Sequence, residues 1–218
     1  MKSTVLISIL LLGLASAAGA QIPKRLDNES LERAGGAARE ALQTFGLLVN
    51  ERNFEELGFS SRQEAGSASL GQPIEEFMIR LDNLRQYDPD QRGIVISPTR
   101  RLTYPVLAGG QQRSSLTVAQ SEVGWAAVSF GAPNYSRLLV DSRERLGGSA
   151  KRPASDYFEV RVPALNVSFV ARQDGEDIVL TPVADDARFD FEAGEDLSLD
   201  EALKAMAPVA REHNGLPT

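Results

Sequence analysis

Two blocks of short β-type segments, each preceded by a helical pattern, constrain the fold of this chain most. Alternating apolar residues and intervening turn residues predict strands over 101–107, 115–119 and 123–130, and over 157–162, 166–171 and 178–183. Consecutive strands joined by short turns pair antiparallel. The sequence therefore predicts an α+β fold of antiparallel sheet meanders with three helices. Whether the two helix-plus-meander halves form a true repeat stays open.

The three helices are predicted from apolar residues spaced three and four positions apart. Asp27 or Asn28 can cap the start of the first helix, which covers about 29–50. The third helix begins with a capping box, in which Ser198 and Glu201 satisfy each other's backbone amides. Pro208 removes one hydrogen bond of this helix, so we expect it to kink or end the regular part. The second helix is expected over 134–146.

Three other features leave the local structure less determined. Ser, Gly and Gln predominate over 59–72, which is typical of a loop. The segment 74–84 fits either a strand or a helix that begins at Pro73, and we favour the strand because β-type segments follow it. Pro105 has no N–H for a sheet ladder, so its strand is expected to lie at an edge or to carry a bulge.

A small, polar segment over 147–155 is the best linker in the chain, and Gly147-Gly148 is expected to end the second helix. The predicted organisation is a signal peptide at 1–20, a first unit at 21–146, the linker, and a second unit at 156–218. The alternative is one compact domain over 27–215.

The first 20 residues have the pattern of a secretory signal. Lys2 supplies the positive charge, 5–14 form an apolar core, and Ala18-Gly19-Ala20 matches a small-x-small cleavage site, with cleavage after Ala20. An uncleaved anchor is disfavoured because a spanning helix needs ~20 apolar residues. The sequence predicts a periplasmic or secreted protein, with no membrane span in the mature chain.

The residue types present exclude several kinds of chemistry. The chain has no cysteine and one histidine, so disulfides, thiol nucleophiles and thiolate metal sites are ruled out. The formal net charge of -7 argues against nucleic acid as a partner.

Catalytic serine chemistry lacks its usual components. The single histidine, His213, lies near the C-terminus, and Gly58-Phe59-Ser60-Ser61-Arg62 lacks the second glycine of a nucleophile elbow. Ser149 and Lys151 lie in the predicted linker. No catalytic, cofactor-binding or metal-binding residue is assigned, and no cofactor is expected.

Acidic residues are concentrated toward the C-terminus. Eleven acids and only one base, Arg188, fall within 174–201, whereas 137–152 holds five bases and two acids. Either these segments pair within the fold, which we favour, or the first is an acidic surface for a basic partner. Calcium is the only metal that the acids could suit, but their spacing does not match an EF-hand and favours a solvated loop. The acids concerned are Asp185, Asp186, Asp190, Glu192, Glu195 and Asp196.

Tyr104, Trp125 and Phe130 could anchor a partner or ligand, although aromatic residues on strands more often belong to the core, as we expect for Trp125. The run from Tyr104-Pro105-Val106 through Ser114 to Val118 and on to Gly124-Trp125 and Ser129-Phe130-Gly131 resembles a pattern of exported bacterial proteins of unknown function. The order of elements within each half is also similar to PepSY and cystatin-like modules. That similarity implies inhibitors, propeptides or non-catalytic binding parts.

These patterns together predict an exported non-catalytic binding or accessory module with a protein or small-ligand partner. The alternative is a carboxylate-based hydrolase with a cleft between the two halves, because paired acids can cleave glycosides. A deep pocket with two or more converging acids would favour the hydrolase, and a shallow surface or exposed aromatic patch would favour binding.

Overall fold

The computed structural model describes residues 23–90 and 96–215, so the predicted signal peptide and its cleavage site lie outside the described residues. Within these ranges the chain forms five α-helices and nine strands. The helices are α1 (Asn28–Leu48), α2 (Arg62–Gly66), α3 (Leu81–Arg85), α4 (Pro133–Ala150) and α5 (Leu199–Glu212). The strands are β1 (Ser69–Leu70), β2 (Ile74–Ile79), β3 (Ile96–Ala108), β4 (Gln111–Ser121), β5 (Gly124–Phe130), β6 (Tyr157–Val162), β7 (Val167–Asp174), β8 (Asp177–Pro182) and β9 (Leu197–Ser198).

All nine strands belong to one sheet with the order β5-β4-β3-β2-β6-β7-β8-β9, and β1 pairs with β3. The sheet is mostly antiparallel, which confirms the predicted α+β fold. One pair differs from the expected meanders, because β2 and β6 run parallel, with Glu76 opposite Glu159. A parallel pair needs a long crossover, and α4 lies on the connection from β5 to β6 that supplies it.

Alternation along the strands divides the sheet into two faces. On one face, α1 packs against Leu102, Tyr104 and Leu116, and α3 and α5 pack against residues such as Phe77 and Phe158. The opposite face, here called the α4 face, carries a smaller apolar cluster that includes Leu139 of α4. Most of the core therefore lies on the first of these faces, here called the three-helix face because α1, α3 and α5 pack on it.

The helix starts follow the predicted caps. Asp27 accepts a hydrogen bond from the Ser30 amide at 2.8 Å, and Ser198 and Glu201 form the complete capping box. Pro208 lies inside α5, which continues to Glu212, so the helix does not end at the proline.

Several local predictions need correction. The predicted loop over 59–72 contains α2 and β1. The segment over 74–84 begins with the favoured strand, β2, but turns into α3 at Leu81. The second helix does not end at Gly147-Gly148 but continues to Ala150, so it occupies part of the predicted linker.

Pro105 lies in an interior strand rather than at an edge, since β3 pairs with β4 on one side and with β1 and β2 on the other. Its carbonyl accepts a hydrogen bond from the Gly71 amide at 2.7 Å, in the gap between β1 and β2. The backbone nitrogen of a strand residue points to the same side as its carbonyl. The missing N–H therefore falls at that gap, and the ladder with β4 shifts register between Val106 and Leu107, beside the proline.

Strands β1 to β5, before the predicted linker, and β6 to β9, after it, belong to the same sheet. The division of the chain into units at 21–146 and 156–218 stays a prediction. No helix within 23–90 or 96–215 has the length and apolar character needed to cross a bilayer.

Candidate functional site

A cavity of about 520 Å³ opens on the α4 face, where the two meanders meet along β2 and β6. Strands β2 to β7, the N-terminal half of α4 and the segment 183–186 contribute its walls. The side chains that matter most for its chemistry are Glu76, Arg101, Tyr135, Glu159 and Arg161.

Strand alternation explains why polar groups collect here. On β6, Phe158, Val160 and Val162 face the three-helix core, so Glu159 and Arg161 project to the α4 face. The same alternation on neighbouring strands adds Arg101 and Thr103 of β3, Thr117 of β4 and Ser129 of β5.

Two glutamates and two arginines form an ionic network on the floor of the cavity. The Glu76 carboxylate lies 3.6 Å from Nε of Arg101 and 3.5 Å from Nη1 of Arg161. Nε of Arg161 lies 3.5 Å from Oε1 of Glu159. These distances exceed the 2.7–2.9 Å of a close charge-assisted hydrogen bond. The glutamates therefore hold the guanidinium groups without using most of their N–H donors.

Tyr135 of α4 covers the second glutamate. Its hydroxyl donates a hydrogen bond to Oε1 of Glu159 and lies 2.9 Å from the hydroxyl of Ser168. Its ring lies against the Arg161 guanidinium, with Cζ 5.7 Å from the ring centroid. Burial raises the pKa of the Tyr135 hydroxyl, so it remains a protonated donor at neutral pH.

Burial also raises the pKa of Glu159 to about 7. The hydrogen bond from Tyr135 and the charges of Arg161 and Arg101 act in the opposite direction and lower this pKa, whereas the neighbouring charge of Glu76 raises it further. The Glu159 carboxyl is therefore expected to change between its protonated and ionised forms near neutral pH.

Exposure separates the groups that a ligand can reach from those beneath them. The side chains of Glu159 and Glu76 are 2% and 8% exposed, whereas those of Arg101 and Arg161 are each 38% exposed. A molecule in the cavity therefore contacts the guanidinium groups before it contacts either carboxylate.

The acids at the rim of the cavity already have partners. Asp186 accepts two hydrogen bonds from the guanidinium of Arg188, at 2.9 and 2.6 Å. Asp185 accepts the Ala193 amide at 2.7 Å. These acids organise the segment 183–193.

The remaining acids of 174–201 are spread over the structure. Asp196 binds Arg172 at 2.7 Å, outside the basic segment. One ion pair joins the basic segment to the acidic one, because Arg152 lies 3.2 Å from Asp174, whereas Arg143 donates to the carbonyls of Gln72 and Pro73. Over 23–90 and 96–215, no group of three acidic or histidine side chains converges to hold a metal ion.

The residues considered for serine chemistry lie outside this cavity. Ser61 caps α2 through the Glu64 amide, and Ser149 donates to the Arg145 carbonyl. His213 follows the last residue of α5, where its Nδ1 accepts from the Gly215 amide at 2.9 Å.

The aromatic anchors considered from the sequence pack against the core on the three-helix face. Tyr104 is buried beneath α1, and the ring of Phe130 stacks on Phe45 with centroids 5.0 Å apart. Trp125 is partly buried against the same cluster, as expected for a core residue.

None of the five principal cavity residues was predicted from the sequence as a site residue. A signal was present, because Glu76, Glu159 and Arg161 are charged residues in the middle of β-type segments that are otherwise apolar. Their meeting depends on the parallel pairing of β2 and β6, which local patterns do not encode.

No protein-family model matches this chain, and no curated protein or solved structure matches it significantly. The geometry of the cavity therefore carries the functional conclusion.

Proposed function

We propose that this protein is a non-catalytic binding module that takes a small polar ligand into the cavity between its two meanders. The carrying observation is the pair of partly exposed guanidinium groups, Arg101 and Arg161, held over buried glutamates. The cavity volume of about 520 Å³ falls within the ~300–1,000 Å³ range of small-molecule sites.

A carboxylate-based hydrolase is the second candidate. Two observations favour it: Glu76 and Glu159 converge in one cavity, which is the arrangement expected of such an enzyme, and burial raises the pKa of Glu159. A general acid must come within hydrogen-bonding reach of the leaving group. Glu159 is 2% exposed and Tyr135 covers its carboxyl, so its position favours a supporting role beneath the binding groups.

Ligand binding can be tested by saturation-transfer NMR with a library of small polar metabolites. Ser129 is exposed at the cavity wall, so Ser129→Trp should block the cavity and abolish the signals of bound compounds. Glu122→Trp in the exposed β4–β5 turn is the matched control and should leave binding unchanged. Binding that Ser129→Trp does not reduce would place the ligand elsewhere and contradict the proposal.

The hydrolase can be tested with a panel of aryl glycosides and aryl esters. We expect no release of the aryl product above background. Turnover that is lost in both Glu76→Gln and Glu159→Gln, while both variants remain folded, would favour the hydrolase over the binding module.

We further propose export to the periplasm or the medium, supported by the signal-like pattern of 1–20. The similarity to PepSY and cystatin-like modules stays a prediction. The non-catalytic binding parts that it implies have the same type of role as the binding module proposed here. Intact-mass spectrometry of the exported protein should give a chain that begins at Gln21. Exported material that begins at Met1 would contradict cleavage.

A further inference from the structure

We infer that the ligand carries an oxyanion, a carboxylate or a phosphate, which binds between Arg101 and Arg161. This inference rests on the proposed binding function and specifies the chemistry of the same cavity.

The first support is an excess of hydrogen-bond donors in the cavity. The Arg101 guanidinium makes no hydrogen bond with any side chain or backbone group in 23–90 or 96–215. Arg161 makes one, at 3.5 Å to Glu76. Nε of each arginine is buried without a hydrogen bond and faces a glutamate, at 3.6 Å for Arg101 and 3.5 Å for Arg161. The exposed 38% of each side chain therefore presents the remaining N–H donors to the cavity. The complementary ligand group is therefore an acceptor, and guanidinium groups bind planar carboxylates and phosphates best.

The second support is the balance of charge. Two arginines face Glu76 and Glu159, and burial disfavours the ionised form of Glu159. The rim acid Asp186 is neutralised by Arg188. When Glu159 holds its proton, the two guanidinium groups exceed the single negative charge of Glu76 on the cavity floor. Asp185 adds a negative charge at the rim, where it accepts the Ala193 amide. The floor between Arg101 and Arg161 is therefore the part of the cavity that favours an anion.

A cationic ligand is the competing possibility. It would need to reach the Glu76 and Glu159 carboxylates, which are 8% and 2% exposed beneath the arginines and Tyr135. The exposed positive groups would repel it first. The burial of the two carboxylates beneath the arginines therefore favours an anionic ligand over a cationic one.

The test compares ligands that share a ring and differ in charge. D-glucuronate supplies a carboxylate and D-glucose 6-phosphate a phosphate, while D-glucose is neutral and D-glucosamine is cationic. Isothermal titration calorimetry and ¹⁵N chemical-shift mapping on the full chain should show at least one anion bound in the cavity. We expect affinity at least ~10-fold above those of the neutral and cationic sugars, and the preferred anion identifies carboxylate or phosphate.

Arg101→Gln should weaken anion binding by at least ~10-fold, and Arg101→Lys should recover part of the loss because it keeps the charge without the planar fork. Arg137→Gln on the exposed surface of α4 is the matched control and should bind as the wild type does. Thermal unfolding shows whether each variant is folded, and Arg101→Lys carries the test if Arg101→Gln is not.

The outcomes separate the two proposals. If D-glucose or D-glucosamine binds in the cavity as tightly as the anions, the oxyanion inference is wrong and the binding function stands. If compounds of the metabolite library cause shifts at the cavity and none of them carries a carboxylate or a phosphate, the inference also fails alone. A carboxylate or phosphate from that library that binds there supports it. If no compound of either set binds there, both proposals are wrong.

Discussion

Glu76 and Glu159 lie opposite each other on the parallel strands β2 and β6, and the guanidinium of Arg161 lies 3.5 Å from both carboxylates. Two carboxylates this close in a buried setting repel each other and resist ionisation. The shared arginine and the hydrogen bond from Tyr135 reduce that cost. The stability of the fold and the chemistry of the cavity are therefore linked to the protonation of Glu159.

The first prediction concerns the pH dependence of stability. The pKa of Glu159 is raised from 4.5 to about 7, so between these values the folded chain keeps a proton that the unfolded chain releases. The contribution to stability is complete below about 4.5 and is lost as the pH rises to about 7, by about 3 kcal/mol. Urea unfolding should show that Glu159→Gln removes this dependence. Glu144→Gln, on the exposed surface of α4, should retain it. Equal pH slopes for the wild type and Glu159→Gln would refute the prediction.

The second prediction concerns the hydroxyl of Tyr135. Tyr135→Phe removes the hydrogen bond that Glu159 accepts and should cost ~1–3 kcal/mol of unfolding free energy. The loss should be larger above pH 7, where Glu159 is ionised, and the pKa of Glu159 should rise further without this donor. Urea unfolding at pH values on both sides of the Glu159 pKa measures both effects. In the Glu159→Gln background the pH difference should vanish, and a loss independent of pH in the wild type would contradict this account.

The third prediction concerns the pH dependence of anion binding. Affinity for D-glucuronate should fall as the pH rises through about 7, because ionised Glu159 adds negative charge beneath the bound anion. The other charged or titratable groups around the cavity are Glu76, Arg101, Tyr135, Arg161, Asp185 and Asp186. Calorimetry across this range should show the fall in the wild type and a flat profile in Glu159→Gln. A fall that persists in Glu159→Gln would assign the effect to another group.

The fourth prediction compares two glycines. Gly58 has φ +90°, and a Cβ there would lie 1.8 Å from the Arg113 carbonyl oxygen. Gly58→Ala should therefore lower the unfolding free energy by more than ~2 kcal/mol. Gly36 lies inside α1 with no atom within 4 Å of its Cβ position, so Gly36→Ala should raise stability by up to ~1 kcal/mol. Thermal unfolding of both variants checks the pair, and equal effects would contradict the described backbone at Gly58.

Features whose signals lie within a few residues were predicted correctly from the sequence. The capping box at Ser198 is one example, and the cap of the first helix is another, since Asp27, one of its two candidates, accepts the Ser30 amide. Local hydrogen bonds and backbone preferences determine such features, so the order of the longer strands and of the three long helices α1, α4 and α5 could be inferred.

Predictions that depended on distant neighbours were less reliable. Gly147 was expected to end α4, yet its missing side chain lets the helix pack closely, since a Cβ there would lie 3.2 Å from the Arg152 carbonyl and 3.7 Å from the Tyr157 ring. Pro105 was expected at an edge or a bulge. The register shift beside it, between Val106 and Leu107, agrees with the bulge, whereas its place in an interior strand depends on the gap between β1 and β2.

The cavity shows the same division between local and long-range information. Strand periodicity places polar residues on one side of each strand, which the chain encodes locally. The meeting of Glu76 with Arg161, 85 positions apart, arises from strand order and register. These depend on which apolar faces pack together across the whole domain, and no local pattern carries that information.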